Sequence, residues 1–265
     1  KMDIKSALME NGKSFLKLIV RIKNKIVADG INDETFDSSN VGTYLSALEF
    51  NAAMEEPNAI VVDMRNYYES EIGHFENAIC PDVDTFKESL HTIKEQLTIK
   101  KDSKILLYCT GGIRCEKASA YLKHHNFKEV FQLRGGIIEY VHQIKEKKLN
   151  SKFIGNNFVF DSRMSEPVTD DIISCCHQCD APSNRHTNCI NQACHILFIQ
   201  CKICAEKYEG SCSLECAKIA ALPIEDQREL RKDPSKAAPL KKYQKGIKPR
   251  LKELIREREK ANQKI

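Results

Sequence analysis

Residues 108–120 read Tyr-Cys-Thr-Gly-Gly-Ile-Arg-Cys-Glu-Lys-Ala-Ser-Ala, between a short apolar run and a segment of helix-forming residues. The run Ile105–Tyr108 predicts a buried strand, and Glu116–His124 predicts a helix. Between them, two glycines let the backbone curl so that several N–H groups converge on one point. A thiol at that point loses its proton easily, because amide dipoles and a nearby cation both favour the thiolate. The pattern therefore predicts an activated cysteine, Cys109.

Two neighbours of Cys109 are further candidates for catalysis. Arg114 supplies the cation, and Cys115 is placed to resolve an oxidised Cys109 as a disulfide. A buried cysteine is more often a small apolar residue, and a buried helix position explains Cys115 equally well. For Cys109, the glycine pair, the arginine and the start of a helix together favour a catalytic role. The predicted active-site loop comprises Thr110, Gly111, Gly112 and Ile113.

Three further segments resemble the rhodanese pattern in their order and spacing. A buried strand ends in Asp-Met-Arg at 63–65, Gly-His-Phe-Glu-Asn-Ala follows at 73–78, and a Gly-Gly turn follows a last strand at 135–136. The resemblance extends over about residues 40–150. It implies an α/β fold in which helices cover both faces of a parallel sheet.

The resemblance also implies roles for individual residues. In rhodanese domains the residues that correspond to Asp63, Arg65 and His74 mainly hold loops through side-chain hydrogen bonds. Gly135 and Gly136 are expected to be turn residues. We therefore expect these five positions to be structural.

The length of the loop separates two chemistries on this fold. From Cys109 to Arg114 it has six residues, as in sulfur-handling rhodaneses. Phosphatases of similar fold have one residue more, which widens the cradle for phosphate. Because a persulfide sulfur is smaller than a phosphoryl group, the shorter loop argues against a phosphatase.

Apolar periodicity and capping signals predict the order of secondary structure. The predicted elements are strand 16–27, a helix over 42–55 that is capped by Ser38 or Ser39, strand 59–63, helix 84–96, strand 104–108, helix 114–125, strand 129–133 and helix 136–147. Strands that alternate with helices in this way are typical of a parallel sheet covered on both faces.

Nine of the twelve cysteines lie between Cys175 and Cys216, and eight of them form four closely spaced pairs. Each pair can place two thiolates on one metal ion, so four pairs fit two structural zinc sites that would stabilise a small module. The predicted ligands are Cys176, Cys179, Cys189, Cys194, Cys201, Cys204, Cys212 and Cys216. We expect the first pair to join the third and the second to join the fourth. The alternatives are a ligand from among His177, His186 and His195, or metal-free buried thiols.

Positive charge is concentrated near the C-terminus. Residues 228–265 carry fourteen Lys and Arg against five Asp and Glu, a net charge of +9, whereas the whole chain is +4. Such a segment can neutralise the phosphates of a nucleic acid, although charge runs are more often solvated surface. Beside a zinc module it favours RNA binding. Within it, 250–260 is predicted to be a helix and 232–249 an extended segment.

The full series of motifs resembles the bacterial tRNA uridine(34) hydroxylase family. The resemblance includes Phe-Ile-Gly-Asn-Asn-Phe-Val-Phe-Asp at 153–161 and Cys-His-Gln-Cys at 176–179, and it covers nearly all of 12–222. It implies a tRNA-modifying oxidoreductase that uses molecular oxygen to convert the wobble uridine into 5-hydroxyuridine, with Cys109 as the essential cysteine. The family carries a further N-terminal domain of small α/β type. Since only its last strand is expected here, within residues 1–30, we expect a truncated chain whose activity is open.

These observations predict four segments and a cellular location. A rhodanese domain over 38–150, a cysteine-rich module over 151–222 and a basic tail over 223–265 follow the N-terminal remnant 1–30. The sequence shows no run of eighteen apolar residues and no signal peptide, and its paired cysteines suit a reducing compartment. We therefore expect a cytoplasmic protein with tRNA as its partner, and neither a membrane nor DNA.

Two alternatives to a hydroxylase remain open from the sequence. A sulfurtransferase that carries a persulfide on Cys109 would use the same thiolate. A non-catalytic scaffold that binds RNA is the third hypothesis, and the intact thiolate loop argues against it. For the hydroxylase, either the Cys109 thiolate adds to C6 of uridine, or oxygen first converts Cys109 to an oxidised species that delivers oxygen.

Overall fold

The computed structural model describes residues 27–240 and 249–262, together with residues 8, 20 and 22. The predicted strand 16–27 falls almost wholly outside these residues. The chain divides between Asp171 and Ile172 into two compact units. The segment boundaries at 150 and 222 stay predictions.

A parallel sheet lies at the centre of the first unit. The elements of this unit are β1 Thr43–Leu45, α1 Ala47–Met54, β2 Ala59–Asp63, α2 Tyr67–Ser70, β3 Gly73–Phe75, α3 Phe86–Gln96, β4 Lys104–Tyr108, α4 Ile113–His124, β5 Val130–Leu133, α5 Gly136–Lys147, β6 Phe153–Phe158 and β7 Ser165–Pro167. The parallel strands have the order β1-β5-β4-β2, and β3, β6 and β7 form a separate antiparallel sheet.

Helices cover both faces of the parallel sheet, which confirms the predicted fold class. Leu106 and Leu107 alternate along the central strand β4, and both are fully buried. Leu106 packs with Phe50 of α1 and Tyr140 of α5, whereas Leu107 packs with Leu90 of α3 and with α4. Burial of side chains of this size contributes about 1.5–3 kcal/mol each. The predicted strands and helices from 59 to 147 agree with the structure to within two residues at each end.

The prediction of one helix over 42–55, capped by Ser38 or Ser39, is wrong. Its first residues form the edge strand β1, which pairs with β5, and α1 begins only after Ser46. The Ser46 N–H donates to the Glu49 carboxylate at 2.8 Å, and the Glu49 N–H donates back to the Ser46 hydroxyl at 3.4 Å. This capping box sets the start of the helix, and the open edge of β5 draws the preceding residues into the sheet.

The second unit is built around its cysteines. Its elements are β8 His186–Asn188, β9 Leu197–Ile199, α6 Lys202–Lys207, α7 Leu214–Ala220, α8 Ile224–Leu230, α9 Pro234–Ala237 and α10 Leu251–Asn262, of which β8 and β9 pair in antiparallel fashion. The helix predicted over 250–260 is confirmed by α10. An extended segment over 232–249 is wrong at α9, because Asp233 caps that turn by accepting from the Ser235 N–H at 3.1 Å. No helix in the described part of the chain is both long and apolar enough to cross a bilayer.

Candidate active site and metal centres

Cys109 directly follows β4, at the point where the chain turns from the sheet into α4. The turn is made by Thr110, Gly111 and Gly112, and Ile113 begins the helix. Gly112 has a φ of +95°, a left-handed conformation that glycine adopts without strain. The loop therefore lies at the carboxyl edge of a parallel sheet, where ligands of α/β proteins commonly bind.

The Cys109 sulfur is buried, yet hydrogen-bond donors surround it. Cys109 is 1% exposed, and the Gly112 N–H donates to its Sγ at 3.1 Å. Burial is the largest single influence on the thiol and raises its pKa. Hydrogen bonds from the Cys115 side chain and N–H, the charge of Arg114 and the Gly112 N–H together outweigh burial. The pKa of Cys109 falls to about 6, so the thiolate is the main form at neutral pH.

Arg114 forms an ion pair that shapes the loop. Its guanidinium donates to both carboxylate oxygens of Glu69, at 2.6 and 2.8 Å, and to the Thr110 hydroxyl at 3.3 Å. The Glu69 side chain is fully buried. Burial favours the protonated acid, but the charge and hydrogen bonds of Arg114 hold the pKa of Glu69 below its usual value. Through this bidentate pair, Arg114 ties the loop to α2.

The first turn of α5 also holds the Cys109 loop in place. The N–H groups of Ile137 and Ile138 donate to the carbonyl groups of Cys109 and Thr110, at 3.0 and 3.2 Å. A Cβ on Gly136 would lie 2.4 Å from the Cys109 carbonyl oxygen, and the φ of Gly136 is +67°. Gly136 is thus required both for its backbone conformation and for close approach to the loop.

Cys115 lies on the first turn of α4 and is fully buried. Burial, followed by the hydrogen bond and charge of Cys109, raises its pKa well above the ordinary value for a thiol. Cys115 is therefore the protonated partner of the Cys109 thiolate. The structure brings together the three predicted catalytic residues, Cys109, Arg114 and Cys115.

Of the other polar residues of the rhodanese pattern, Asp63 and Arg65 hold a loop, in agreement with the expectation from sequence. Arg65 donates to the Asp63 carboxylate at 2.6 Å and to the Gly73 carbonyl at 2.6 Å, and both side chains of the pair are fully buried. The Arg65 contacts fix the turn into β3. His74 Nδ1 lies 3.0 Å from the carbonyl oxygen of its neighbour Phe75, within β3.

The eight predicted metal ligands form two groups of four thiols. The members are Cys176, Cys179, Cys201 and Cys204 in the first group, and Cys189, Cys194, Cys212 and Cys216 in the second. Within each group all sulfur atoms lie within 4.8 Å of one another. The first pair thus joins the third and the second joins the fourth, as predicted. No histidine belongs to either group in the described residues.

The donor sets fit tetrahedral metal ions. Four thiolates around one zinc ion at about 2.3 Å lie about 3.8 Å apart, and Sγ–Sγ distances of 3.6 Å join Cys179 to Cys201 and Cys194 to Cys212. Backbone N–H groups also donate to the sulfur atoms, from Cys204 to Cys201 Sγ at 3.4 Å and from Cys212 to Cys189 Sγ at 3.4 Å. Such N–H groups orient and stabilise thiolate ligands. Both groups can hold a metal ion.

Comparison with known proteins matches two segments of the chain to family models and finds curated relatives of most of its length. Residues 46–143 match the rhodanese-like domain family, and residues 154–217 match the family described as rhodanase C-terminal. A protein named tRNA uridine(34) hydroxylase from Leptospira interrogans is 60% identical over 231 residues, which cover 87% of this chain and 63% of that protein. Proteins of the same name from Escherichia fergusonii and Pectobacterium carotovorum are 54% and 55% identical, over 85% of this chain and 64% and 63% of theirs.

Over most of its length this chain is similar to curated proteins named tRNA uridine(34) hydroxylase, and it contains a rhodanese-like domain. It spans less than two thirds of the length of the curated relatives that it matches, between 63% and 64%. The Cys109 loop lies within the matched rhodanese-like domain, and the two cysteine groups lie within the matched C-terminal region.

Two residues that shape the site of this chain have no role assigned by the sequence. Nothing in the rhodanese pattern links Glu69 to Arg114. Gly136 is predicted only as a turn residue, whereas it also makes room for the Cys109 carbonyl. A structural role for an acid and a glycine far from the loop becomes visible only when the strands are paired.

Proposed function

We propose that this chain hydroxylates the wobble uridine of tRNA to 5-hydroxyuridine, with molecular oxygen as co-substrate. One feature of the site carries the proposal: the buried Cys109 sulfur accepts from the Gly112 N–H at 3.1 Å, and its surroundings lower its pKa to about 6. A thiolate at neutral pH is a nucleophile for an electron-poor ring. The name shared by the curated relatives favours uridine as that ring.

In the proposed first step, the Cys109 sulfur forms a bond to C6 of the uracil ring. The electron pair of the C5–C6 double bond moves to C5, which becomes nucleophilic towards oxygen. Once C5 carries the oxygen atom, loss of the C5 proton and departure of the Cys109 thiolate restore the double bond. The loop amides favour this sequence because they stabilise the sulfur anion both before addition and on departure.

The reaction also needs two electrons. One oxygen atom of O₂ goes to C5, and the other becomes water. Two thiols supply the electrons and protons when they close to a disulfide, so that uridine, O₂ and two thiols give 5-hydroxyuridine, water and one disulfide. Cys109 and Cys115 are the proposed pair, because the Cys115 thiol hydrogen-bonds to Cys109. The Cys115 sulfur takes the second oxygen atom as a sulfenic acid, and the departing Cys109 thiolate then displaces that oxygen as water to close the disulfide. A cellular thiol reductant reopens the disulfide by exchange.

The second unit has a supporting role in this proposal. Each four-cysteine group holds one zinc ion, and all four ligands come from the protein, as in structural zinc sites. The ions stabilise the unit, and no step of the reaction passes through them. The basic C-terminal segment contacts tRNA phosphates, and the protein acts in the cytoplasm.

Mass spectrometry of wobble nucleosides tests the proposal, in a bacterial strain that lacks its own hydroxylase and expresses this chain. We expect 5-hydroxyuridine with the wild-type chain and none with Cys109→Ser. Cys80→Ser is the matched control, because Cys80 is a partly buried thiol of the same unit outside the loop. Wild-type levels of 5-hydroxyuridine in the Cys109→Ser strain would refute the mechanism, and absence of product with the wild-type chain would refute the function.

A persulfide sulfurtransferase is the competing function, because the six-residue loop and its thiolate suit sulfur transfer as well. A thiosulfate–cyanide assay on the same purified chain separates the two. We expect thiocyanate formation at the level of the Cys109→Ser variant. Turnover that depends on Cys109, without 5-hydroxyuridine in the strain, would favour the sulfurtransferase.

A further inference from the structure

A pocket of about 240 Å³ opens beside the Cys109 loop. Gly111 and Gly112 line it on the loop side, and Tyr44 and Arg134 line it from β1 and from the end of β5. A Cβ on Gly111 would meet no atom within 4 Å, so the loop leaves space on this side. Gly112 also donates the hydrogen bond to the Cys109 sulfur. Gly112 therefore both lines the pocket and contacts the Cys109 sulfur.

Tyr44 and Arg134 form a stacked pair at this pocket. The guanidinium carbon of Arg134 lies over the Tyr44 ring, 4.9 Å from its centroid. Tyr44 is 37% exposed, and Arg134 is also exposed. Aromatic rings and guanidinium planes are the surfaces on which proteins stack unpaired RNA bases.

The polar contacts of this pocket favour a neutral ring over a phosphate. The Tyr44 hydroxyl donates to both carboxylate oxygens of Glu116, at 2.8 Å, which fixes the orientation of the ring. Partial burial and then the Glu116 hydrogen bond raise the pKa of Tyr44 to about 12, so the ring stays a neutral phenol. The Glu116 carboxylate lines the pocket and repels a phosphate group.

We propose that this pocket receives the base of the nucleotide to be modified, stacked on the Tyr44–Arg134 pair. The inference rests on the proposed function and adds the residues that hold the uracil ring beside the Cys109 loop. The pocket is smaller than the roughly 300–1,000 Å³ of sites for drug-sized ligands, which suits a single pyrimidine. A base that leaves the anticodon stack loses stacking energy, and the Tyr44–Arg134 pair replaces it.

A binding cycle between protein and RNA tests this pocket. Fluorescence anisotropy measures the Kd of the full chain for an anticodon stem-loop RNA with uridine at the wobble position and for the same RNA with an abasic site there. We expect Tyr44→Ala and Arg134→Ala to weaken binding of the uridine RNA by about 5- to 150-fold, the range for loss of one stacked base. Binding of the abasic RNA should change by less than about twofold for Tyr44→Ala, because no base is left to stack.

Two further variants make the cycle decisive. Tyr44→Phe keeps the ring and should keep the preference for the uridine RNA. Lys128→Ala removes one positive charge from an exposed side chain elsewhere in the same unit. It should raise the Kd for both RNAs by the same factor. The pocket assignment would be overturned if Tyr44→Ala weakened binding of both RNAs by the same factor, or if it weakened binding of neither.

Assay of the wild-type chain for 5-hydroxyuridine in the same stem-loop separates this inference from the proposed function. If 5-hydroxyuridine forms but Tyr44→Ala weakens binding of the uridine RNA and the abasic RNA equally, only the pocket is refuted. Coupling without product refutes the hydroxylase, while the pocket stands as an RNA-base site. A wild-type chain that binds neither RNA overturns both.

Discussion

The ion pair between Glu69 and Arg114 gives a quantitative test of how the active-site loop is held. Glu69→Gln keeps the shape of the side chain but removes its charge, and it leaves the guanidinium of Arg114, 15% exposed, without its counter-charge. Loss of one partner of a buried ion pair costs about 3–5 kcal/mol, whereas exposed pairs contribute about 0–1 kcal/mol. We expect the free energy of unfolding of the first unit to fall by about 3 kcal/mol or more.

Urea unfolding followed by tyrosine fluorescence measures this loss. The chain has no tryptophan, and six of its eight tyrosines lie in the first unit, so the signal reports mainly on that unit. The control is Glu56→Gln, because Glu56 pairs with Lys104 at the surface, with exposed side-chain fractions of 50% and 22%. The reasoning is refuted if Glu69→Gln and Glu56→Gln lose the same small amount.

Three further outcomes are expected. Thiolate absorbance, taken as the difference between wild type and Cys109→Ser, should appear as the pH rises through about 6 and be lost below it; a midpoint near pH 9 would contradict the described loop. Gly136→Ala should lower the free energy of unfolding by more than the roughly 1–2 kcal/mol of left-handed strain, because its Cβ would meet the Cys109 carbonyl. Gly111→Ala should lower it by less than about 1 kcal/mol in the same urea assay. Metal analysis should find two zinc ions per chain and one after Cys204→Ser, with two retained in Cys175→Ser, since Cys175 is exposed and outside both groups; equal zinc in the two variants would argue against the first site.

The parallel sheet could be predicted from sequence because its inner strands are unbroken apolar runs. Strands β2 and β4 are buried on both faces, so hydrophobicity alone marks them. Strand β1 gave no such signal, since three residues at a sheet edge have too few neighbours to impose a pattern. Its residues take strand geometry because β5 offers free backbone groups.

The candidate site likewise contains residues that could be placed from sequence and residues whose role could not be predicted. Cys109, Arg114 and Cys115 are adjacent in sequence, and local spacing was enough to place them together. Glu69 lies 45 residues before the arginine that it holds, and its role depends on how α2 packs. The pocket beside the loop could not be predicted from sequence either, because Tyr44 lies in β1, which the sequence pattern assigned to a helix.

The crossed order of the two cysteine groups has a consequence for proteolysis. A single backbone cut between Cys194 and Cys201 would separate each group into two halves, one on either fragment. With an ion in each group, the fragments would stay joined by two independent metal bridges and would migrate together until a chelator released them. A cut outside 176–216 would divide neither group. After a cut between Cys194 and Cys201, fragments that stay together would therefore show that the groups hold metal, and fragments that separate would show that they do not.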